Sequence, residues 1–432
     1  MSEVTLDVLA ARDQFPSLKT NYIFADNAGG SQCLSAVVSR ISDYLLYTNV
    51  QLGADYSVSV TSTQRVADGI EAVRELFNAE SVDEIAMGSS STMLAENLGR
   101  AIEGDILDGE EIIVTGEHEA NAGPWKKLAA RRGLTVKYWH ATPSSSHPDN
   151  TYAVKLELSS LLPLISSKTR LVAFTGCSNI LGTVLPVKEI TAAVRAKAKE
   201  LGARKLEVSI DCVAYAPHRR IDVRDWDVDY CFFSVYKVYG PHIGALYARA
   251  ACIQSSLGSL AHHFLRVQSK SYKLQPGGPG YELVYGCTAI PEYLRSLSPS
   301  GSLVGAFDVI AKHEQSLIKP LLEYLKSKES RGVRIVGEED VGPNRVPTIS
   351  FVVVAEKPIR SRRAIKSKDI VKVFDQKGNI GIRYGHFYAY TLAESLQPKL
   401  DLEDGVVRVS LVHYNTVEDV QTIIKILDEI LA

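Results

Sequence analysis

Two residues of complementary chemistry stand 26 positions apart near the middle of this chain, a carboxylate at Asp211 and an amine at Lys237. Asp211 directly follows the short apolar run 206–210, and Lys237 lies just past the run 230–233. Both runs are rich in apolar, β-branched and aromatic residues, as buried strands are. Strands of one parallel sheet would deliver both groups from their carboxyl ends into a single crevice. There an amine can attack a carbonyl carbon, and a facing carboxylate can stabilise a nearby cationic nitrogen. The plainer alternative is an Asp/Lys ion pair in a core.

Other polar residues occupy comparable places. The stretch Gly88-Ser89-Ser90-Ser91-Thr92 follows a strand-like run and precedes a helical pattern over 93–102. Free N–H groups, hydroxyls and the positive end of a helix dipole suit a phosphate dianion there, with Ser91 and Thr92 as the expected contacts. Simple N-capping would use only one of these residues. His118 follows a strand predicted over 111–115, where an imidazole can move protons near neutral pH. Asn179 follows a strand predicted over 170–175, a position where asparagine commonly just forms a turn. Arg408 alternates with valines in the segment 406–412, which points its guanidinium to one sheet face.

Positioning these groups takes an α/β framework. Strands predicted over 111–115, 134–139, 170–175, 206–210, 230–233 and 243–248 alternate with helices, one of which spans 187–201 and stops at Gly202. The arrangement implies a mainly parallel sheet. Beyond about residue 326 the pattern becomes a smaller α+β unit, with strands over 348–354, 380–384 and 406–412 and a helix over 366–377. The last helix is marked by Thr416 and Asp419 at its start and by an apolar face containing Val420, Ile423 and Leu427. The expected division is an N-terminal segment 1–20, with an amphipathic helix over 6–15 packing on the small unit, a large domain 21–300, and a small domain 301–432.

Composition narrows the function classes. The chain has 432 residues, 45% hydrophobic and 23% charged, with a formal net charge of −2. Interspersed charge of that size points to small-molecule partners, with no nucleic acid and no membrane surface. Six cysteines lie far apart without C-x-x-C pairing, so neither a metal site nor a disulfide framework is expected, and a reducing compartment fits. The adjacent His262 and His263 lack metal-ligand spacing. No run reaches the length of a membrane span, and the first residues lack an apolar core region, so a cytoplasmic protein is expected.

The segment Ser234-x-Tyr236-Lys237-x-x-Gly240-Pro241-x-x-Gly244-x-Leu246-Tyr247 resembles the signature of the class V aminotransferase and cysteine desulfurase family, fold-type I enzymes that use pyridoxal 5'-phosphate. That cofactor needs a lysine for its aldehyde and a carboxylate to keep its ring nitrogen protonated. The resemblance extends over nearly the whole chain. It includes Asp26-Asn27-Ala28-Gly29, Glu117-His118-x-Ala120-Asn121-x-x-Pro124-Trp125, Ser178-Asn179-x-x-Gly182-Thr183, and Arg408-x-Ser410-x-x-x-Tyr414-Asn415. It implies cofactor contacts from Ser91, Thr92, His118, Asn179 and Asp211, and from His218, Ser234, Tyr236 and Lys237. Asn179 would meet the cofactor's phenolic oxygen and His118 its ring. Catalysis is expected at Lys237, His118 and Asp211, and substrate contact at Asn27, Arg383 and Arg408, the last gripping an α-carboxylate. A Gly/Pro-rich loop at 277–280 is similar to one that reaches across a homodimer.

Three departures bear on the reaction. Tyr388 stands where the desulfurases carry their persulfide-forming cysteine, Tyr236 replaces a histidine, and Ala214 replaces a glutamine. Without a thiolate, sulfur cannot be taken onto the enzyme by the usual route. The pattern is similar to a desulfurase-like subgroup of carbon–sulfur lyases and decarboxylating carbon–carbon bond formers. The expected function is therefore β-elimination from L-cysteine or S-substituted cysteine derivatives, giving pyruvate and ammonia. The alternatives are a decarboxylating aldol-type enzyme, a desulfurase or aminotransferase, and a catalytically inactive binding protein.

Overall fold

Apolar runs and amphipathic helices alternate to build a seven-stranded sheet, seen in a computed structural model that describes residues 5–355 and 364–431. Its strand order is Ile85–Gly88, Gly244–Ala248, Tyr230–Ser234, Glu207–Asp211, Thr169–Thr175, Glu111–Thr115 and Thr135–Trp139. Gly244–Ala248 runs antiparallel to both neighbours, while the other paired strands are parallel. Successive side chains go to opposite faces: Ile113, Phe174 and Ile210 enter one apolar layer, and Ile112, Val114 and Leu171 the other. Burial on both faces is why these strands read as continuous apolar runs.

The C-terminal unit holds a four-stranded antiparallel sheet in the order Val333–Val336, Thr348–Val353, Val406–Ser410, Arg383–Gly385. The span expected as one strand over 380–384 is two, because Ile380–Gly381 pairs instead with Ile23–Phe24. Helix Val417–Ile430 begins with a capping box between Thr416 and Asp419 and buries Val420, Ile423 and Leu427. Each such buried aliphatic side chain contributes about 1.5–3 kcal/mol.

Helix Leu303–Ser327 crosses from one unit to the other. Its first turns put Leu303, Phe307 and Ile310 into the core of the large sheet, and its later turns put Leu317, Leu321 and Leu325 into that of the small one. The N-terminal segment also differs from expectation. Its helix is only Val8–Arg12, capped by Asp7, and Leu9 is exposed. Phe15 carries the burial instead, edge-on to Tyr239, Tyr293 and Tyr414. Residues Ile23–Phe24 and Asp26 join strands of the C-terminal unit, since so short a strand needs an existing edge to satisfy its backbone groups.

Candidate active site

Asp211 is the last residue of its strand and is buried, with the Val213 N–H donating to Oδ1 at 2.9 Å. Burial pushes its pKa up to about 6, against the pull of that N–H and of Lys237. Lys237 ends the turn Val235–Lys237 after the neighbouring strand and is also buried. Burial, then the positive charge of Arg408, brings its pKa down to about 8, although Asp211 opposes the shift. The two shifts run toward each other, so neither group is locked in one charge state near neutrality.

Beside them lies the start of helix Ser91–Ala101. The Ser90 side chain caps it by accepting from the Met93 N–H, and the Ser91 and Ser234 hydroxyls are 2.6 Å apart. Gly244 makes this approach possible: a Cβ there would lie 2.3 Å from the Ser91 nitrogen. Thr92 is exposed in the first turn. Tyr236 stacks on His242 with centroids 4.9 Å apart, and its carbonyl accepts from the Ser31 hydroxyl at 3.0 Å.

His118 caps helix Glu119–Arg132, its Nδ1 accepting from the Ala120 N–H at 3.2 Å. That bond leaves the ring proton to Nε2. Burial, then Lys237 and Arg408, lower its pKa to about 4, so the ring is neutral at physiological pH. The sequence reading gave Glu117 no role of its own, yet it is fully buried next to this histidine. Ser178 donates to its Oε2 at 2.8 Å, Oε1 has no partner among the described residues, and burial pushes its pKa up to about 7.

Arg408 is buried across the crevice, where it donates to the Asn179 carbonyl at 3.2 Å and to Asp26 Oδ1 at 2.9 Å. Its guanidinium lies 3.7 Å above the Phe387 ring, and Nε is buried without a partner among the described residues. Burial lowers its pKa only to about 10, which leaves it charged at neutral pH. Arg383 meets the other oxygen of Asp26 at 3.4 Å and is half exposed. Asn179 donates through Nδ2 to the Phe387 carbonyl at 3.0 Å and keeps an unpartnered, buried Oδ1. Phe387 and Tyr388 have φ of 49° and 61°, a left-handed conformation that costs a non-glycine residue about 1–3 kcal/mol.

Two expected residues face elsewhere. The Asn27 amide is consumed internally: Nδ2 donates to the Phe24 carbonyl at 2.7 Å and the Ser410 carbonyl at 3.0 Å, and Oδ1 accepts from the Tyr414 hydroxyl. His218 is buried against Glu314 at 2.5 Å, in a cluster that also holds Arg219. That contact ties the imidazole through Nδ1 to a carboxylate on helix Leu303–Ser327. Asp26, in contrast, has no role of its own in the sequence, where it is only one residue of the matching segment Asp26-Asn27-Ala28-Gly29. The available signal was that it is the sole charged residue between Tyr22 and Ser31.

The fold and this donor set describe an α/β enzyme with a buried lysine, a buried carboxylate, a helix N-terminus and a buried arginine. A model of the aminotransferase class-V family matches residues 23–423. The chain is 40% identical to the aminotransferase-like protein FGM3 of Gibberella zeae, covering all of both sequences. It is 34% identical to the cysteine desulfurase-like protein ustD of Aspergillus flavus, over 99% of this chain and 91% of that one. The fold matches the apo cysteine desulfurase of Thermococcus onnurineus with a TM-score of 0.80 at 22% identity, over 100% of this chain and 99% of that one. The chain belongs to the aminotransferase class-V family and is a pyridoxal 5'-phosphate-dependent enzyme. The residues present fit that cofactor: a buried amine, a buried carboxylate, paired serine hydroxyls at a helix start, and the orphaned Asn179 Oδ1 all call for a polar ligand.

Proposed function

We propose that the protein cleaves the carbon–sulfur bond of L-cysteine or of S-substituted cysteines, sulfoxides included, by β-elimination to pyruvate and ammonia. The observation that carries this reading is the phenol of Tyr388 beside His118, with ring centroids 5.5 Å apart, in the place of a nucleophilic thiol. The chain's own cysteines offer no substitute. All are unpaired, five are buried, and burial raises the pKa of the half-buried Cys33. Elimination needs no enzyme thiol, because the sulfur leaves directly as a thiol or sulfenate.

Pyridoxal phosphate, when bound, would supply an electrophilic carbonyl and a ring able to spread negative charge from the α-carbon. Ser91, Ser234 and the adjoining helix start would hold its phosphate, with Thr92 at the outer edge. Asp211 keeps a proton on the ring nitrogen, and His118 presents a neutral flat face. Arg408 takes the α-carboxylate through its unpartnered Nε edge, since its other side is already held by Asp26 and Asn179. Lys237, as a neutral amine, removes the α-proton.

Pyruvate released from L-cysteine and from S-alkyl-L-cysteine sulfoxides, measured by coupled lactate dehydrogenase, is the expected result. Stoichiometric alanine with a persulfide on any cysteine would overturn it. Arg383 motivates a second reading: a half-exposed cation next to the clamp can hold a second carboxylate, as decarboxylating carbon–carbon bond formation from L-aspartate requires. A hydroxy amino acid formed from L-aspartate and an aldehyde, without pyruvate from sulfur substrates, would favour that reading.

We also infer a homodimer, in a reducing cytoplasm that suits six unpaired cysteines. Leu45, Leu46, Tyr47 and Tyr56 are exposed by 47%, 72%, 69% and 53%, an apolar surface of the kind partners cover. Sedimentation is expected to give a dimer. A fully active monomer across concentrations would sink this inference.

A further inference from the structure

We propose that Tyr388 is the proton donor to the departing sulfur, an inference that rests on the elimination reading above. Four features converge on it. Its ring lies against His118, with centroids 5.5 Å apart and the planes tilted by 36°. Its backbone is pinned: the Glu119 N–H donates to the Tyr388 carbonyl at 2.8 Å, and the Tyr388 N–H donates to His386 Nδ1 at 3.2 Å. Neighbouring Phe387 is clamped between the Asn179 amide and the Arg408 guanidinium. Finally, Phe387 and Tyr388 both hold a left-handed backbone, where side chains of this bulk seldom sit.

Packing gives no reason for that strain at Tyr388. The residue is 66% exposed, so it buries too little apolar surface to account for being held this way. Strain maintained by pinned contacts at the rim of a site is characteristic of a group that must point in a set direction. Phenol chemistry supplies the purpose. As the bond between Cβ and sulfur breaks, its electron pair leaves with sulfur, and the Tyr388 Oη–H proton passes to that sulfur. Water then returns a proton to the phenolate, which its exposure permits. The α-proton stays on Lys237 while the carbon–sulfur bond breaks and passes to water afterwards, so the two proton transfers are separate. Substrate and water account for all atoms of the thiol, pyruvate and ammonium released.

The test compares leaving groups in the holoenzyme. S-methyl-L-cysteine expels a thiolate that needs a proton, whereas β-chloro-L-alanine expels chloride, which does not. Tyr388→Phe is expected to lower kcat for S-methyl-L-cysteine by at least about tenfold, with KM within about twofold, and to leave β-chloro-L-alanine turnover unchanged. Thermal midpoint and the spectral titration with unreactive L-alanine are expected to match the wild type, because the ring and its backbone contacts remain. Equal slowing of both substrates, or of neither, overturns the role of the phenol. Wild-type turnover of β-chloro-L-alanine without pyruvate from any S-substituted cysteine overturns the functional reading itself, and the proposal falls with it. That second outcome is read from the wild type alone, so the two failures are distinguishable.

Discussion

Lys237→Ala is expected to lose the borohydride-fixed cofactor adduct and about 10³-fold or more of turnover, because the proposed mechanism assigns this one amine both to hold the cofactor and to take the α-proton. Mass spectrometry of the reduced, digested wild type should find the adduct on Lys237 alone. A reduced adduct on any other lysine would remove Lys237 from its role. The same residue sets a pH dependence. Burial and Arg408 bring its pKa down to about 8, and only the neutral amine attacks a carbonyl. Cofactor uptake by the cofactor-free protein should therefore accelerate as pH rises through about 8 and level off above it. A rate independent of pH over that interval would contradict the assignment.

Asp211→Asn is expected to retain part of the cofactor yet lower turnover by about 10²–10⁴-fold, since an amide cannot keep the ring nitrogen protonated. Stability of the cofactor-free protein should move the other way. Burial raises the folded pKa of Asp211 to about 6, above the roughly 3.9 of an unfolded aspartate. The folded state thus binds more protons between those values, and the wild type loses stability as pH rises through that window. The amide has no charge to desolvate. The thermal midpoint of the variant at pH 7 should equal or exceed that of wild type, the gap opening as pH rises from about 4 to about 6. A variant with wild-type turnover would dismiss the carboxylate from catalysis, and one that melts well below wild type would show its charge to be stabilising.

The sequence by itself determined the parts whose signal is local. Short runs of apolar, β-branched and aromatic residues mark the strands, so the expected ends at 111–115 match Glu111–Thr115, and Asp211 falls one residue past the run that announces it. Capping chemistry marked the last helix, where Thr416 and Asp419 exchange hydrogen bonds as their spacing predicts. Placing Asp211, Lys237 and His118 at strand ends or just beyond them needs only those runs, because a parallel sheet gathers its carboxyl ends in one crevice.

What only the tertiary structure decided depends on partners distant in the chain. Asp26 becomes a carboxylate bridging two arginines because Ile23–Phe24 pairs with Ile380–Gly381, more than three hundred residues away, and no local pattern encodes that pairing. The family resemblance implies a cofactor contact from His218, yet its Nδ1 is held by Glu314 on a helix of remote sequence. Asn27 is withdrawn from the substrate by Tyr414 and the Ser410 carbonyl. Glu117 shifts to a pKa of about 7 through burial, and burial is a property of the packed whole. The boundary expected at residue 300 falls just before a continuous helix, Leu303–Ser327, whose apolar residues read the same whichever core they enter. Hydrophobic periodicity fixes which side of an element is buried, but not against what, and at a catalytic site it is the identity of the neighbour that sets charge, direction and availability.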